Sequence, residues 1–112
     1  MPINNLFFQK GSYKLSKASY AELNRLTKLL RARPNLKIEI GGHTDNTGNP
    51  KSNMTLSKNR ARAVMDYLIE KGFPRKNIKA VGYGQEKPVA SNATGEGKKK
   101  NRRVELTILS AD

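Results

Sequence analysis

One segment of the sequence, HTDNTGNPKSNMTLSKNR at residues 43–60, combines an acid, a glycine-containing turn, an amide and an arginine. The acid is Asp45, the amide is Asn53 and the arginine is Arg60, and they lie across one junction between a loop and a helix. A guanidinium is planar and permanently charged, so it can bind a carboxylate through two parallel hydrogen bonds, while a carboxylate can bind an amine. The segment therefore has the residues of a binding site for a zwitterion.

The predicted helix in this segment would hold Arg60 in a fixed position. It starts at Ser52, whose hydroxyl can accept a hydrogen bond from a backbone N–H of the first turn, and it ends near Lys71, before Gly72. At 100° per residue, Asn53 and Arg60 fall on one stripe at the edge of the apolar face, so the stem of Arg60 should be packed. The first turn adds backbone N–H groups and a partial positive charge, which also favour an anion.

Spacing alone leaves a simpler interpretation of both charged residues open. Asp45, directly after a strand, could form a turn. Arg60 could pack its stem and extend its charged end into water, as many helix arginines do. The choice depends on whether the two side chains face one cavity.

The remaining elements place this segment in a single α+β domain that covers residues 1–112. The order β-α-β-α-β-β predicts a sandwich in which a mixed sheet is covered on one face by two main helices. The first helix is capped by Ser16, with Ser19 and Glu22 as a competing start. Residues 85–101 are polar and rich in turn formers, which predicts either a functional loop or a short helical turn. The predicted strands are residues 4–8, 36–42, 78–83 and 104–109, the last with Val104, Leu106 and Ile108 on one face, and the first helix runs from Ser16 to about Ala32.

The composition is strongly basic, with 22 Lys and Arg against 9 Asp and Glu and a formal net charge of +13. This charge fits a basic nucleic-acid-binding module, because cations bind phosphates through counterion release without reading a sequence. It fits a cell-wall lattice that carries carboxylates, or an anionic membrane surface, equally well. The densest basic run, Lys98–Lys100 with Arg102 and Arg103, has no aromatic stacking pattern beside it. Charge alone does not decide between these partners.

Catalysis has little support in the sequence. The chain has no cysteine and a single histidine, His43, which excludes a Cys-His pair and a multi-histidine zinc site, and no cofactor is expected. His43 is expected to orient its loop through a hydrogen bond or to be exposed. No run approaches the ~20 apolar residues that span a bilayer, and no signal peptide is recognisable. The chain is expected to be a soluble fragment that reaches a membrane only through an anchor or barrel outside this sequence.

Several blocks of the sequence resemble one family closely. They are HTDNTG at 43–48, Asn53, LSKNRA at 56–61, VGYG at 81–84 and NRRVEL at 101–106. In this order and spacing, over nearly the whole chain, they are similar to the OmpA-like peptidoglycan-binding domain, the type found in OmpA, Pal and MotB.

The resemblance implies non-catalytic, non-covalent binding of peptidoglycan through the diaminopimelate of the stem peptide. Arg60 would bind a carboxylate of that residue, and Asp45 would help to hold its ammonium group. Arg103, with Asn101, matches the NRR block and would either contact the ligand or act as a structural ion-pair partner. The resemblance assigns the rest of the binding site to Thr44, Asn46, Thr47, Asn53 and Leu56.

The resemblance also implies a location in the cell, and the sequence differs from many members of the family at one position. The domain would anchor an outer-membrane protein or lipoprotein to the wall in the periplasm of a Gram-negative bacterium, with a motor-stator or secretion-system anchor as an alternative. Many relatives carry an acid after the first-strand aromatics, where this chain has Gln9. Gln9 can donate a hydrogen bond but cannot neutralise an ammonium, which puts the preferred peptide chemistry in question. The sequence does not predict the oligomeric state.

Overall fold

A computed structural model of the protein describes Phe8 and residues 11–110. Apart from Phe8, the predicted strand at residues 4–8 lies outside the described residues. The elements combine helices with a three-stranded mixed sheet, which confirms the predicted α+β class. In chain order they are α1 (Lys17–Arg31), β1 (Lys37–His43), α2 (Pro50–Glu70), a 3₁₀ turn (Arg75–Asn77), β2 (Ile78–Gly84), α3 (Gly95–Asn101) and β3 (Val104–Ser110).

β1 lies at the centre of the described sheet, in the order β2-β1-β3. Ile40 of β1 lies opposite Ala80 of the parallel strand β2 and opposite Leu106 of the antiparallel strand β3. Pairing continues to the end of β1, where the His43 amide donates to the Arg103 carbonyl at 3.0 Å. The loop that follows β1 therefore starts from a fixed point between both neighbouring strands.

Helix α2 packs directly on this sheet. A Cβ atom added to Gly42 would lie 2.0 Å from the Ser57 backbone oxygen, and one added to Gly82 would lie 2.4 Å from the Lys58 side chain. Only glycine allows so close an approach of helix and strand. The apolar faces of α1 and α2 share one core with the sheet, formed by Phe8, Leu23, Leu26, Leu30, Leu36, Ile38, Ile40, Ala61, Val64, Leu68, Phe73, Ile78, Val104 and Leu106.

The helix ends confirm one predicted cap and correct another. Ser16 caps α1 by accepting from the Ser19 amide at 3.2 Å. Helix α2, however, begins a turn before Ser52, because Asn49 caps it by accepting from the Lys51 amide at 2.8 Å and Pro50 occupies the first position. Proline suits that position, since it lacks the N–H that the first turn leaves unpaired.

Of two further predictions, one is confirmed by the structure and one is wrong in part. The segment 85–101 contains a short helix, α3, which was one of the two predicted alternatives. In β3, Val104 and Leu106 are buried as predicted, but Ile108 is 51% exposed. The β1–β3 register breaks beside Ile108, and such a break ends the strict alternation of buried and exposed side chains. None of the described helices is both long and apolar enough to cross a bilayer.

Candidate functional site

A cavity of about 330 Å³ lies where the loop after β1, the first turns of α2 and the residue after α3 meet. Its volume is within the ~300–1,000 Å³ that small-molecule sites usually have. Most of the predicted site residues line it, and it is closed on one side by the segment before α1. The lining residues are Gly11, Thr44, Asp45, Thr47, Gly48, Asn53, Leu56, Arg60 and Arg102.

Arg60 is fully buried, at 0% exposure, and its guanidinium is held by backbone oxygens. Its Nε donates to the Ser12 carbonyl at 2.9 Å and its Nη1 donates to the His43 carbonyl at 3.0 Å. The guanidinium carbon also lies 5.0 Å from the centre of the Phe8 ring. Burial, followed by the charge of Arg102, lowers the Arg60 pKa to about 10, while Asp45 opposes the change. Arg60 is therefore an oriented cation at neutral pH.

Asp45 is also buried, at 4% exposure, but the chain already provides partners for its carboxylate. Its Oδ1 accepts from the Thr47 amide at 2.8 Å, and its Oδ2 accepts from Arg102 Nη1 at 2.7 Å. Burial alone would raise the Asp45 pKa, but the hydrogen bonds from Thr47 and Arg102 outweigh it and the pKa is lowered. Asp45 is therefore an anion whose charge is balanced by Arg102.

Arg102 is the cavity residue that sequence reasoning missed, since it was placed only in a basic run. Its Nε is buried and has no hydrogen-bond partner within the described part of the chain, so this donor would be satisfied by a ligand atom or a water molecule. Period-two alternation could have identified it. Because Val104 faces the helices, Arg102 belongs on the helix side of the sheet and Arg103 belongs on the other side with Glu105.

Arg103, predicted as a ligand-binding residue, does not line the cavity. Its Nη2 lies 2.6 Å from Glu105 Oε2 and donates to the Lys87 carbonyl at 2.9 Å. This geometry favours the structural ion-pair role that the sequence left open. Asn46 is exposed and does not line the cavity either, so the structure brings neither residue to the other predicted site residues.

Asn101, the residue before Arg102, is hydrogen-bonded to the loop that precedes α3. Its side chain is fully buried, and its Oδ1 accepts from the amides of Val89 and Ala90 at 2.8 and 3.0 Å. Its Nδ2 donates to the Ala90 carbonyl and to Asn92 Oδ1 at 3.0 and 2.8 Å. All of its hydrogen-bonding groups are used within the chain. Asn101 therefore stabilises the loop before α3 and has no hydrogen-bonding group left for a ligand.

Asn53 holds the opposite wall of the cavity. Its Nδ2 donates to the Thr47 carbonyl at 3.0 Å and to Gln85 Oε1 at 2.9 Å, which ties α2 to the loops after β1 and β2. Lys98 Nζ lies 3.1 Å from Thr47 Oγ1, so a further cation stands at this wall. Among the described residues, the cations at this cavity, Arg60, Arg102 and Lys98, outnumber the acid that lines it, Asp45. The cavity is therefore suited to an anionic group such as a carboxylate.

His43 lies on the other side of β1 from the cavity and is only 3% exposed, so the expectation of an exposed residue is wrong. Its Nδ1 has no hydrogen-bond partner among the described residues, so a hydrogen bond that orients the loop stays a prediction. Burial, followed by the charge of Arg103, lowers its pKa to about 4, although Glu105, 3.3 Å from its Nε2, opposes the change. Its ring stacks on Tyr83 with centres 5.3 Å apart. Among the described residues, no group of three or more His, Cys, Asp or Glu side chains could hold a metal ion.

Several known proteins are related to this chain in sequence. Residues 7–102 match the OmpA family. The peptidoglycan-binding protein ArfA of Mycobacterium bovis is 45% identical over 90% of this chain and 31% of its own length. Outer membrane porin F of Pseudomonas aeruginosa is 42% identical over 90% of this chain and 29% of its own length. This chain thus spans less than a third of either protein.

Two solved structures superpose closely on the fold. One is the peptidoglycan-associated lipoprotein from Burkholderia pseudomallei, with a TM-score of 0.87 and 32% identity, covering 92% of this chain and 87% of that one. The other is the C-terminal domain of Helicobacter pylori MotB, with a TM-score of 0.88 and 30% identity, covering 96% of this chain and 85% of that one. The sheet, its order of elements and the helices over it are therefore shared with these domains.

Proposed function

The chain belongs to the OmpA family, and from that premise we propose that it binds peptidoglycan non-covalently through the diaminopimelate residue of the stem peptide. The observation that supports this most is the position of Arg60. It is fully buried, its guanidinium is held by two backbone carbonyls, and it lines a cavity that Asp45 also lines. A guanidinium held in place loses little conformational freedom when it binds a carboxylate.

In the proposed complex, the side-chain end of diaminopimelate enters the cavity. Its carboxylate lies against Arg60, and its ammonium group lies on the side of Asp45. Asn53 and Thr47, which are hydrogen-bonded to each other, form the wall between the two. The family resemblance in the HTDNTG and LSKNRA blocks supports this orientation. The relative named as a peptidoglycan-binding protein supports peptidoglycan as the ligand.

We propose further that the domain is an anchor and not an enzyme. Weak binding of one stem peptide is sufficient for an anchor, because many domains on one repetitive polymer hold through multivalency. The relatives named as an outer membrane porin and a peptidoglycan-associated lipoprotein support a periplasmic domain that holds an outer-membrane protein or lipoprotein to the wall. The likeness to MotB supports a motor-stator anchor as the second candidate.

The proposal is tested by co-sedimentation with purified wall fragments that contain diaminopimelate. The Arg60→Ala variant should lose sedimentation, because the cavity then lacks its fixed cation for a carboxylate. Arg62 provides the matched control, since it is an exposed arginine on the same helix and its loss removes the same charge. Arg62→Ala should sediment like the parent chain.

The same variants separate wall binding from nucleic-acid binding. Retention on DNA depends on exposed cations and on salt. Arg60→Ala should leave it almost unchanged, because this guanidinium is buried, and Arg62→Ala should weaken it slightly. Wall binding should distinguish the two variants sharply. Equal sedimentation of Arg60→Ala and Arg62→Ala would refute the proposed site.

A further inference from the structure

The ion pair between Asp45 and Arg102 bears on which part of the ligand the cavity selects. Both carboxylate oxygens of Asp45 accept hydrogen bonds within the chain, one from Thr47 and one from Arg102. The pair is mostly shielded from water, with 6% of the Asp45 side chain and 20% of the Arg102 side chain exposed. A charge-assisted hydrogen bond in so dry a position is about twice as strong as a neutral one. A ligand ammonium must therefore compete with Arg102 for Asp45.

The net charge of the cavity lining also favours a ligand carboxylate over a ligand ammonium. Arg60 and Arg102 contribute two positive charges to the lining and Asp45 contributes one negative charge. A ligand carboxylate balances the remaining positive charge, whereas a ligand ammonium adds to it. Attraction to the carboxylate is thus supported by the whole cavity, while attraction to the ammonium depends on one acid that already has a cation beside it.

The rim of the cavity leaves room next to the ligand. Gly11 and Gly48 both line it, and a Cβ atom added to either would meet no described atom within 4 Å beyond the adjoining residues. These two positions carry no side chain that a substituent on the ligand amine would have to displace.

We propose that Arg102 makes the cavity select the side-chain carboxylate of diaminopimelate and tolerate acylation of the neighbouring amine. Acylation turns the ammonium into a neutral amide, as happens when two stem peptides are cross-linked through this amine. Because Arg102 already balances Asp45, the loss of that positive charge leaves no acid unpaired. The domain then binds cross-linked and uncross-linked stem peptides alike. The inference rests on the proposed function and concerns the same cavity.

Calorimetric titration with three synthetic stem peptides tests the inference. One peptide has unmodified diaminopimelate, the second has its side-chain amine acetylated and the third has its side-chain carboxylate amidated. For the parent chain, acetylation should change Kd by less than about 3-fold, and amidation should weaken binding by about 10-fold or more.

Two variants of Arg102 separate its role in selection from a role in folding. Arg102→Gln removes the charge and leaves Asp45 free for the ammonium, so this variant should prefer the free amine over the acetylated one by about 10-fold. Arg102→Lys keeps the charge and should retain the tolerance of the parent chain. Melting temperatures of all three proteins show whether the fold is kept. If Arg102→Gln does not fold, the parent chain still tests the tolerance of acylation, because a strong loss of affinity on acetylation overturns the inference without any variant.

The outcomes distinguish this inference from the proposed function. If the parent chain binds the unmodified peptide but acetylation weakens binding about 10-fold, this inference is wrong and the proposed function stands. Arg102→Gln with the same tolerance as the parent would also overturn it. If the parent chain binds none of the three peptides, both are wrong.

Discussion

At the scale of single residues, Arg60 and Asp45 differ in the partners that bind their charged groups. The stem of Arg60 is packed, and the Ser12 and His43 carbonyls accept hydrogen bonds from its guanidinium and so position the cation. Asp45 instead has a full counter-charge in Arg102. The sequence predicted Arg60 and Asp45 through their spacing and family blocks. It did not identify Arg102, because the choice between adjacent arginines depends on which one faces the helices.

His43 gives a prediction at the same scale. The folded chain keeps His43 neutral down to about pH 4, whereas an unfolded chain takes up this proton near pH 6.5. The contribution of His43 to the free energy of unfolding is therefore complete above pH 6.5 and is lost as the pH falls toward 4. The full loss, reached below pH 4, should be about 3.5 kcal/mol, from a pKa difference of ~2.5 at ~1.4 kcal/mol per pKa unit.

Urea unfolding at a series of pH values measures this loss, with His43→Gln as the comparison. The variant lacks the titrating group, so its stability should change much less between pH 6.5 and 4.5. Parallel profiles for the parent and the variant would show that His43 is not the group responsible. Asp45 does not interfere with this measurement, because its pKa is lowered in the fold and its contribution to the free energy of unfolding is lost only at more acidic pH.

At the scale of elements, α3 packs closely against the preceding loop at Gly97. A Cβ atom at Gly97 would lie 1.8 Å from the Ser91 carbonyl oxygen, whereas one at Gly95 would meet nothing within 4 Å. Gly97→Ala should therefore destabilise the fold by about 1–3 kcal/mol or more. It should also weaken ligand binding, because Arg102 directly follows α3.

Gly95→Ala is the matched control on the same helix. Alanine lowers the conformational entropy of the unfolded chain at a position without a steric conflict, so stability should be unchanged or higher by up to about 1 kcal/mol. Denaturant titrations of both variants measure the difference. Equal stabilities would mean that α3 does not pack against Ser91 as described.

The start of α2 allows a similar comparison between two candidate caps. Asn49→Ala should lower the free energy of unfolding by about 1 kcal/mol, since the backbone amides of Lys51 and Ser52 lose their acceptor. Ser52→Ala should change it by less than about 0.5 kcal/mol, because Ser52 is exposed and lies inside the helix. The reverse order, measured by urea unfolding, would support the start at Ser52 that the sequence alone suggested.

These elements show why some boundaries could be predicted and others could not. Helix α1 has two candidate starts, Ser16 and Ser19, and the cap at Ser16 was predicted and is confirmed by the hydrogen bond that its hydroxyl accepts from the Ser19 amide. Helix α2 has two polar candidates, Asn49 and Ser52, and the first is used because Pro50 can occupy only the opening turn. Helix α3 has no apolar periodicity, since glycines and lysines make up most of it, so its existence depended on the cap at Thr94 and on packing against the loop.

At the scale of the whole molecule, the net charge of +13 and the cavity are separate properties. The total charge attracts polyanions of any kind, and salt screens this attraction. In the proposed function, the cavity lined by the buried Arg60 adds selection for one head group. The fold was predictable from alternating hydrophobic patterns, whereas the cavity required knowledge of how the loops after β1 and α3 meet.

The central claim is that this cavity binds the carboxylate at the end of the diaminopimelate side chain. The most direct measurement is a calorimetric titration of the chain with two stem peptides that differ only in the third residue, diaminopimelate in one and lysine in the other. Lysine keeps the side-chain amine but lacks the carboxylate beside it. We expect saturable binding of the diaminopimelate peptide at one site, and no measurable binding of the lysine peptide. Equal affinity for both peptides would contradict the account, because the cavity would then not recognise the carboxylate that Arg60 is positioned to bind.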